Sequence, residues 1–168
     1  MAFITSGTTV LSFATYDDVI DRDARVTQEN EGLTVDIIED LLIRSTERIL
    51  SLLRSTNWWQ EYYLKQSGAS YRTSGDIPQP EAEKVLTRKN DFTDLCVYHC
   101  LYEYVFPKIA DFSDENNAER RKIGYYQQKF NSLFDELIKA GDWYDYDDDA
   151  SVESSEMDPG IVSRRRVR

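Results

Sequence analysis

Three side chains that bind zinc in many proteins lie close together in the chain, as Cys96, His99 and Cys100 in a C-x-x-H-C pattern. On a helix, positions i, i+3 and i+4 share one face, so the three could converge on one ion. A closed zinc site needs a fourth ligand, and the sequence holds no other histidine and no third cysteine. A carboxylate or water would have to complete the shell. The favoured interpretation is that two thiols and one hydrogen-bonded imidazole pack inside a central helix.

Other candidate chemistry is sparse. The acidic pairs Asp17-Asp18 and Glu39-Asp40 fall on what should be wet helix faces, where carboxylates are solvated charges. The stretch SGASYRTSG has neither the spacing nor the lysine of a phosphate-binding loop. The sequence therefore predicts no catalytic residue, no metal site and no cofactor, and we do not expect an enzyme.

The charge of the whole chain restricts its partners. Its 168 residues carry 31 acidic and 20 basic side chains, a net charge of -11. Because phosphate contacts need clustered lysine and arginine, this argues against free binding to nucleic acid. The first 20 residues lack a secretion signal, and no apolar run reaches the roughly 18 residues of a membrane span. A protein of the reducing cytoplasm is predicted, with no membrane partner.

Apolar periodicity predicts an all-α fold, a small bundle of about four to five helices. Each predicted helix has a start or stop signal: Thr15 before a short helix, Thr34 before a long amphipathic one, and Asn90 or Asp91 before a helix that is apolar all round. A last helix begins near Ser113 or Asp114 and stops at Gly141. Residues 67–90, rich in glycine, proline and small polar residues, are predicted to form a long loop with a helical turn at 80–86.

The chain changes character after residue 141. Positions 142–158 hold eight acids and no base, and the last five residues hold four arginines. Removing residues 142–168 leaves 23 acids and 16 bases, so a body of net -7 carries a tail of net -4. Repelling carboxylates with few apolar groups predict disorder over 145–160. We therefore divide the chain into a helical domain, 1–141, and an extended acidic tether ending in a basic clamp, 142–168.

The clamp is predicted to bind another acidic protein. Its apolar pair can add to a sheet edge or fill a notch, while its arginines pair with carboxylates. Aromatic residues at the start of the tail are surplus to the helical stripes and are predicted to contact a partner too. The predicted partner-binding residues are Ile161, Val162, Arg164, Arg165, Arg166, Arg168, Trp143, Tyr144 and Tyr146.

The order of elements, with the local sequences ATYDDVID and ILSLLRSTNWW, resembles the head-to-tail adaptor (connector) proteins of long-tailed bacteriophages. The likeness covers roughly residues 14–141. It implies a structural virion protein, assembled in the host cytoplasm and located in the virion neck. Such a protein forms a homo-oligomeric ring, generally of twelve copies, that prolongs the DNA channel. Its implied partners are the portal ring and a tail-side stopper or terminator, with DNA only passing through.

Two other classes of function stay open. One is a monomeric acidic regulator that mimics DNA and occupies a basic host protein, which the net charge also fits. The other is a helical zinc enzyme built on Cys96, His99 and Cys100. Measuring the oligomeric state of the protein mixed with portal distinguishes the DNA mimic from an adaptor. Elemental analysis for zinc distinguishes the zinc enzyme from an adaptor.

Overall fold

The computed structural model describes residues 3–26, 32–61, 77–114 and 117–157. Helices dominate this part of the chain, as predicted, and the small all-α fold is confirmed. In chain order the elements are β1 (Ile4–Ser6), β2 (Thr9–Ser12), α1 (Tyr16–Arg22), α2 (Val35–Ser55), α3 (57–61), a 3₁₀ turn (Ala82–Lys84), α4 (Lys89–Cys100), a π-helical turn (Leu101–Val105), α5 (Phe106–Ile109), α6 (Ala118–Ala140) and α7 (Ser154–Met157).

The helix boundaries follow local capping chemistry. The Thr15 N–H donates to the Asp18 carboxylate at 2.8 Å, which fixes the start of α1. Thr34 accepts from the third N–H of α2, as its position predicts. The start of α6 differs from the prediction, because the helix begins at Ala118 and its N-cap is Asn117, whose side chain accepts from the Arg120 N–H. Gly141 ends α6 with a φ of 60°, a conformation that glycine adopts without strain.

Helix α4 is the centre of the molecule. It packs against α2 on one side and α6 on the other, and every residue from Leu95 to Cys100 is buried. This is the environment that its all-round apolar sequence predicts. The helix begins at Lys89, with Arg88 in the left-handed conformation before it, and continues through the π-helical turn into α5. Pro107 lies in α5, where the helical run closes.

A short β-hairpin, which the sequence pattern did not predict, lies at the start of the described chain. Strands β1 and β2 pair antiparallel around a turn that contains Gly7 at a φ of 64°. Phe13, directly after β2, is fully buried, and its ring centroid lies 5.2 Å from that of Phe92 in α4. The Thr93 hydroxyl donates to the Phe13 carbonyl at 2.8 Å. The hairpin thus covers one side of the helical core.

Among the residues that the structure describes, no helix combines the length and the apolar character needed to cross a membrane.

Candidate functional site

The segment after α6 turns back onto the helical body. Tyr144 forms an isolated antiparallel bridge with Val85. Two further main-chain hydrogen bonds, of 3.1 and 2.9 Å, flank this bridge and join residues 84–86 to residues 143–145. Before the bridge, the Arg88 guanidinium makes two hydrogen bonds with the Asp142 carboxylate, at 2.6 and 3.1 Å. A forked, charge-assisted contact of this kind fixes direction as well as distance.

Trp143 anchors the segment in the core. Its side chain is fully buried, with ring centroids of Trp58 and Phe92 at 4.6 and 4.9 Å. The indole N–H donates to the Leu137 carbonyl at 2.9 Å, so its one polar group is satisfied. This indole joins the C-terminal segment, α3 and α4 in one apolar cluster.

Two tyrosines continue the same contact surface. Tyr144 is buried, its ring centroid lies 5.1 Å from that of Trp59, and its hydroxyl accepts from the Glu81 N–H at 3.2 Å. Tyr146 is half-buried, with its ring centroid 6.2 Å from that of Trp59. Trp59 is itself buried in the core.

These contacts correct the interpretation of the tail. Residues 142–157 are not an extended or disordered spacer, because Trp143 and Tyr144 bury two large rings and thereby offset the entropy of ordering the acidic residues after them. The rings of Trp143 and Tyr144, predicted to contact a partner, fill the protein's own core instead. A domain boundary at residue 141 would divide that core. Tyr146 stays a predicted partner contact.

The remaining predicted partner-binding residues, which form the basic clamp, lie outside the described residues. This applies to Ile161, Val162, Arg164, Arg165, Arg166 and Arg168. It applies equally to residues 62–76, which include most of the first half of the predicted long loop. The helical turn predicted within 80–86 is present at Ala82–Lys84.

The cysteine and histidine cluster packs in the core, as the favoured interpretation has it. Cys96 Sγ lies 3.4 Å from the Thr46 hydroxyl and 3.5 Å from the Leu42 carbonyl. Burial raises the pKa of Cys96 to about 11, and burial also raises the pKa of Cys100. Both groups are therefore neutral thiols at physiological pH. A thiol of this kind is a poor nucleophile and a poor metal ligand.

His99 lies at the edge of a shallow groove between α2, α4 and α6. The groove has a volume of about 330 Å³ and is lined on its other sides by Arg48, Tyr102, Phe130 and neighbouring residues. The imidazole is buried, and its Nδ1 lies 3.2 Å from the Ser45 hydroxyl. Burial, with a smaller contribution from the Arg48 charge, lowers the pKa of His99 to about 4. The ring is neutral in the folded protein at pH 7.

The acidic residues that follow the aromatic anchor form a tight loop. Carboxylate oxygens of Asp145, Asp147 and Asp149 all lie within 4.8 Å of one another. Asp145 is buried, and its two oxygens accept from the Asp148 N–H at 2.7 Å and the Ala150 N–H at 2.9 Å. Three carboxylates at such distances offer an all-oxygen donor set that could hold a hard cation.

A fourth carboxylate closes the loop from α7. Glu156 is buried, and its Oε1 accepts from the N–H groups of Tyr146 and Asp147 at 2.8 and 3.2 Å. Its Oε2 accepts from the Glu153 N–H at 2.9 Å. The side chain thus spans from one end of the loop to the other. The twelve residues 145–156, which we name the acidic loop, form one folded unit.

The negatively charged carboxylates of the acidic loop repel one another. Desolvation raises the pKa of Asp147, and the negative charges of Asp149 and Glu156 raise it further. Both effects disfavour the charged form of the Asp147 carboxylate.

The high density of acidic residues after residue 141 does not by itself predict this loop. The available signal was spacing: acids stand at every second position from Asp145 to Asp149, and Glu156 follows eleven residues after the first. The amino-acid composition of residues 142–158 does not contain that order.

Comparisons with protein-family models, with curated proteins and with solved structures find no match for this chain.

Proposed function

We propose that this protein is a structural adaptor of a bacteriophage neck, which forms a ring on the portal, binds a tail-side stopper or terminator and prolongs the DNA channel. The proposal rests on the resemblance of residues 14–141 to head-to-tail adaptors. Its role is non-enzymatic. The observation that supports it best is the anchoring of residues 142–146 by Trp143 and the Arg88–Asp142 pair.

The anchoring of residues 142–146 fixes the point on the helical body from which the basic clamp extends. Because the described chain is bound to the helical body up to α7, residues 158–168 begin at a defined place on each subunit. The reach of the clamp is then that of eleven residues and not of the whole tail, about 35 Å when fully extended. That length suits contact with an adjacent ring protein and not with a distant one.

The net charge is consistent with a DNA channel. A wall that passes DNA without holding it must avoid clustered lysine and arginine, since each neutralised phosphate adds binding free energy. Many copies of a chain of charge -11 repel one another in solution. We therefore expect the isolated protein to be a monomer or weak oligomer that forms its ring on the portal.

Deleting residues 161–168 is expected to weaken binding to purified portal rings of the same phage at least tenfold. Partly desolvated charge-assisted pairs contribute roughly 1.5–3 kcal/mol each, and the anchored body raises their effective concentration. Co-sedimentation at low and high salt measures this, with circular dichroism to confirm unchanged helix content. The control is the simultaneous change of Arg164, Arg165 and Arg166 to Lys, because it keeps the positive charge. Changing the same three residues to Glu should weaken binding more than the deletion does. Equal binding by the intact and shortened chains would refute the clamp.

The alternative of an acidic regulator that mimics DNA gives a different result in the same preparation. A mimic stays monomeric when mixed with portal, and light scattering then shows no ring. It binds instead to a basic host protein, in a salt-sensitive way. Ring formation on the portal excludes this alternative.

A further inference from the structure

We propose that the acidic loop is a calcium-binding site, with the carboxylates of Asp145, Asp147, Asp149 and Glu156 as side-chain ligands. The inference does not depend on the adaptor role, because metal binding is measured on the isolated chain.

The first observation is the order of residues in the loop, DYDDDASVESSE. Acids at positions 1, 3 and 5 with a glutamate at position 12 are the ligand pattern of the twelve-residue EF-hand calcium loop. In that pattern a main-chain carbonyl at position 7, here Ser151, supplies a further oxygen, and position 9, here Glu153, acts through water. The glycine usual at position 6 is replaced by Ala150, which nevertheless adopts the required left-handed backbone, with a φ of 68°.

The second observation is independent of this pattern. Asp145 and Glu156, the first and last residues of the loop, are only 2% and 4% exposed. Within the described ranges neither forms an ion pair with a lysine or arginine. Their hydrogen-bond partners are main-chain N–H groups, which carry no net charge. Two buried negative charges that face one loop without a cation are costly, and a bound cation would compensate them.

Distances and donor type select the ion. Calcium–oxygen distances are about 2.3–2.6 Å, so oxygens on opposite sides of one calcium ion lie about 5 Å apart. The oxygens of Asp145, Asp147 and Asp149 already fall within 4.8 Å of one another. Zinc prefers nitrogen and sulfur ligands, and magnesium keeps several of its waters and demands a near-ideal octahedron. A loop of carboxylates and carbonyls, with the last ligand, Glu156, on the short helix α7, therefore fits calcium best.

Calorimetry of the full-length, chelator-treated protein with CaCl₂ tests the proposal. We expect one ion per chain with a Kd below about 1 mM, and at least tenfold weaker binding of MgCl₂. No saturable heat up to about 5 mM CaCl₂ would overturn it. Equal affinity for the two ions would also overturn it, because diffuse charge and not a coordination site would then explain the binding.

Two matched variants separate ligation from charge. Asp147→Asn removes a proposed ligand, and Asp148→Asn removes the same charge from the neighbouring, non-ligand position. Both side chains are exposed, so neither change should unfold the chain. We expect Asp147→Asn to weaken calcium binding at least tenfold and Asp148→Asn to change it less than about threefold. Equal effects of the two would refute coordination by the loop. A calcium-dependent rise in melting temperature, absent in Asp147→Asn, provides a second measurement.

Discussion

The change Trp143→Ala is expected to lower the free energy of unfolding by about 3–5 kcal/mol, the usual loss for truncating a fully buried large aromatic residue. The indole contacts Trp58 and Phe92 and donates to the Leu137 carbonyl. Its removal leaves a cavity between α4 and the C-terminal segment. Urea unfolding of the full chain, followed by circular dichroism, measures the loss.

The change Trp143→Phe is the control for this experiment. It keeps a ring in the cluster and removes the hydrogen bond to Leu137, so we expect a smaller loss of about 1–3 kcal/mol. A loss below about 1 kcal/mol for Trp143→Ala would contradict the structure, because that is the range of surface substitutions away from special features. Residues 142–157 would then be a peripheral tail, as composition alone predicts.

Acid is expected to destabilise the protein through His99. The pKa of the imidazole is lowered from its ordinary 6.5 to about 4 in the folded state. The unfolded chain therefore binds a proton first as pH falls, and stability contributed by the neutral ring is lost between pH 6.5 and pH 4. Each unit of pKa difference corresponds to about 1.4 kcal/mol, so the loss between pH 7 and pH 4.5 is about 2 kcal/mol.

The change His99→Asn isolates this contribution from that of the carboxylates. An asparagine amide can take the place of Nδ1 beside the Ser45 hydroxyl, and it does not titrate in this range. The variant starts less stable but should lose about 2 kcal/mol less than the parent between pH 7 and pH 4.5. Parallel stability curves for the two proteins, from urea unfolding at a series of pH values, would show that His99 is not buried as a neutral ring.

The helices were predictable because their signals are local. The spacing of Ile38, Leu41 and Leu42 defines a buried face of α2, and Thr34 and Gly141 mark helix ends through interactions within one turn. The β-hairpin was not predictable on those grounds. Its strands are three and four residues long, and serine and threonine interrupt their apolar positions.

The candidate metal loop could have been predicted from the order of the acidic residues, but not from their net charge. A net charge describes residues 142–158 as a repelling spacer, whereas the order of those charges specifies ligand positions. The docking of Trp143 could not be predicted, because its ring partners Trp58 and Phe92 are distant along the chain. Contacts of that kind arise from packing and leave no periodic signal.

The position of Trp143 also determines when the chain can fold during synthesis. Helices α1 to α6 all leave the ribosome before this residue, yet the centre of their shared core stays open until the indole arrives. Folding of the domain is therefore completed only after almost all of the described chain has emerged. Until then, the apolar faces of the helices that were synthesised earlier stay exposed. For those intermediates the surrounding acidic residues, which repel other nascent chains of the same kind, are a protection against aggregation.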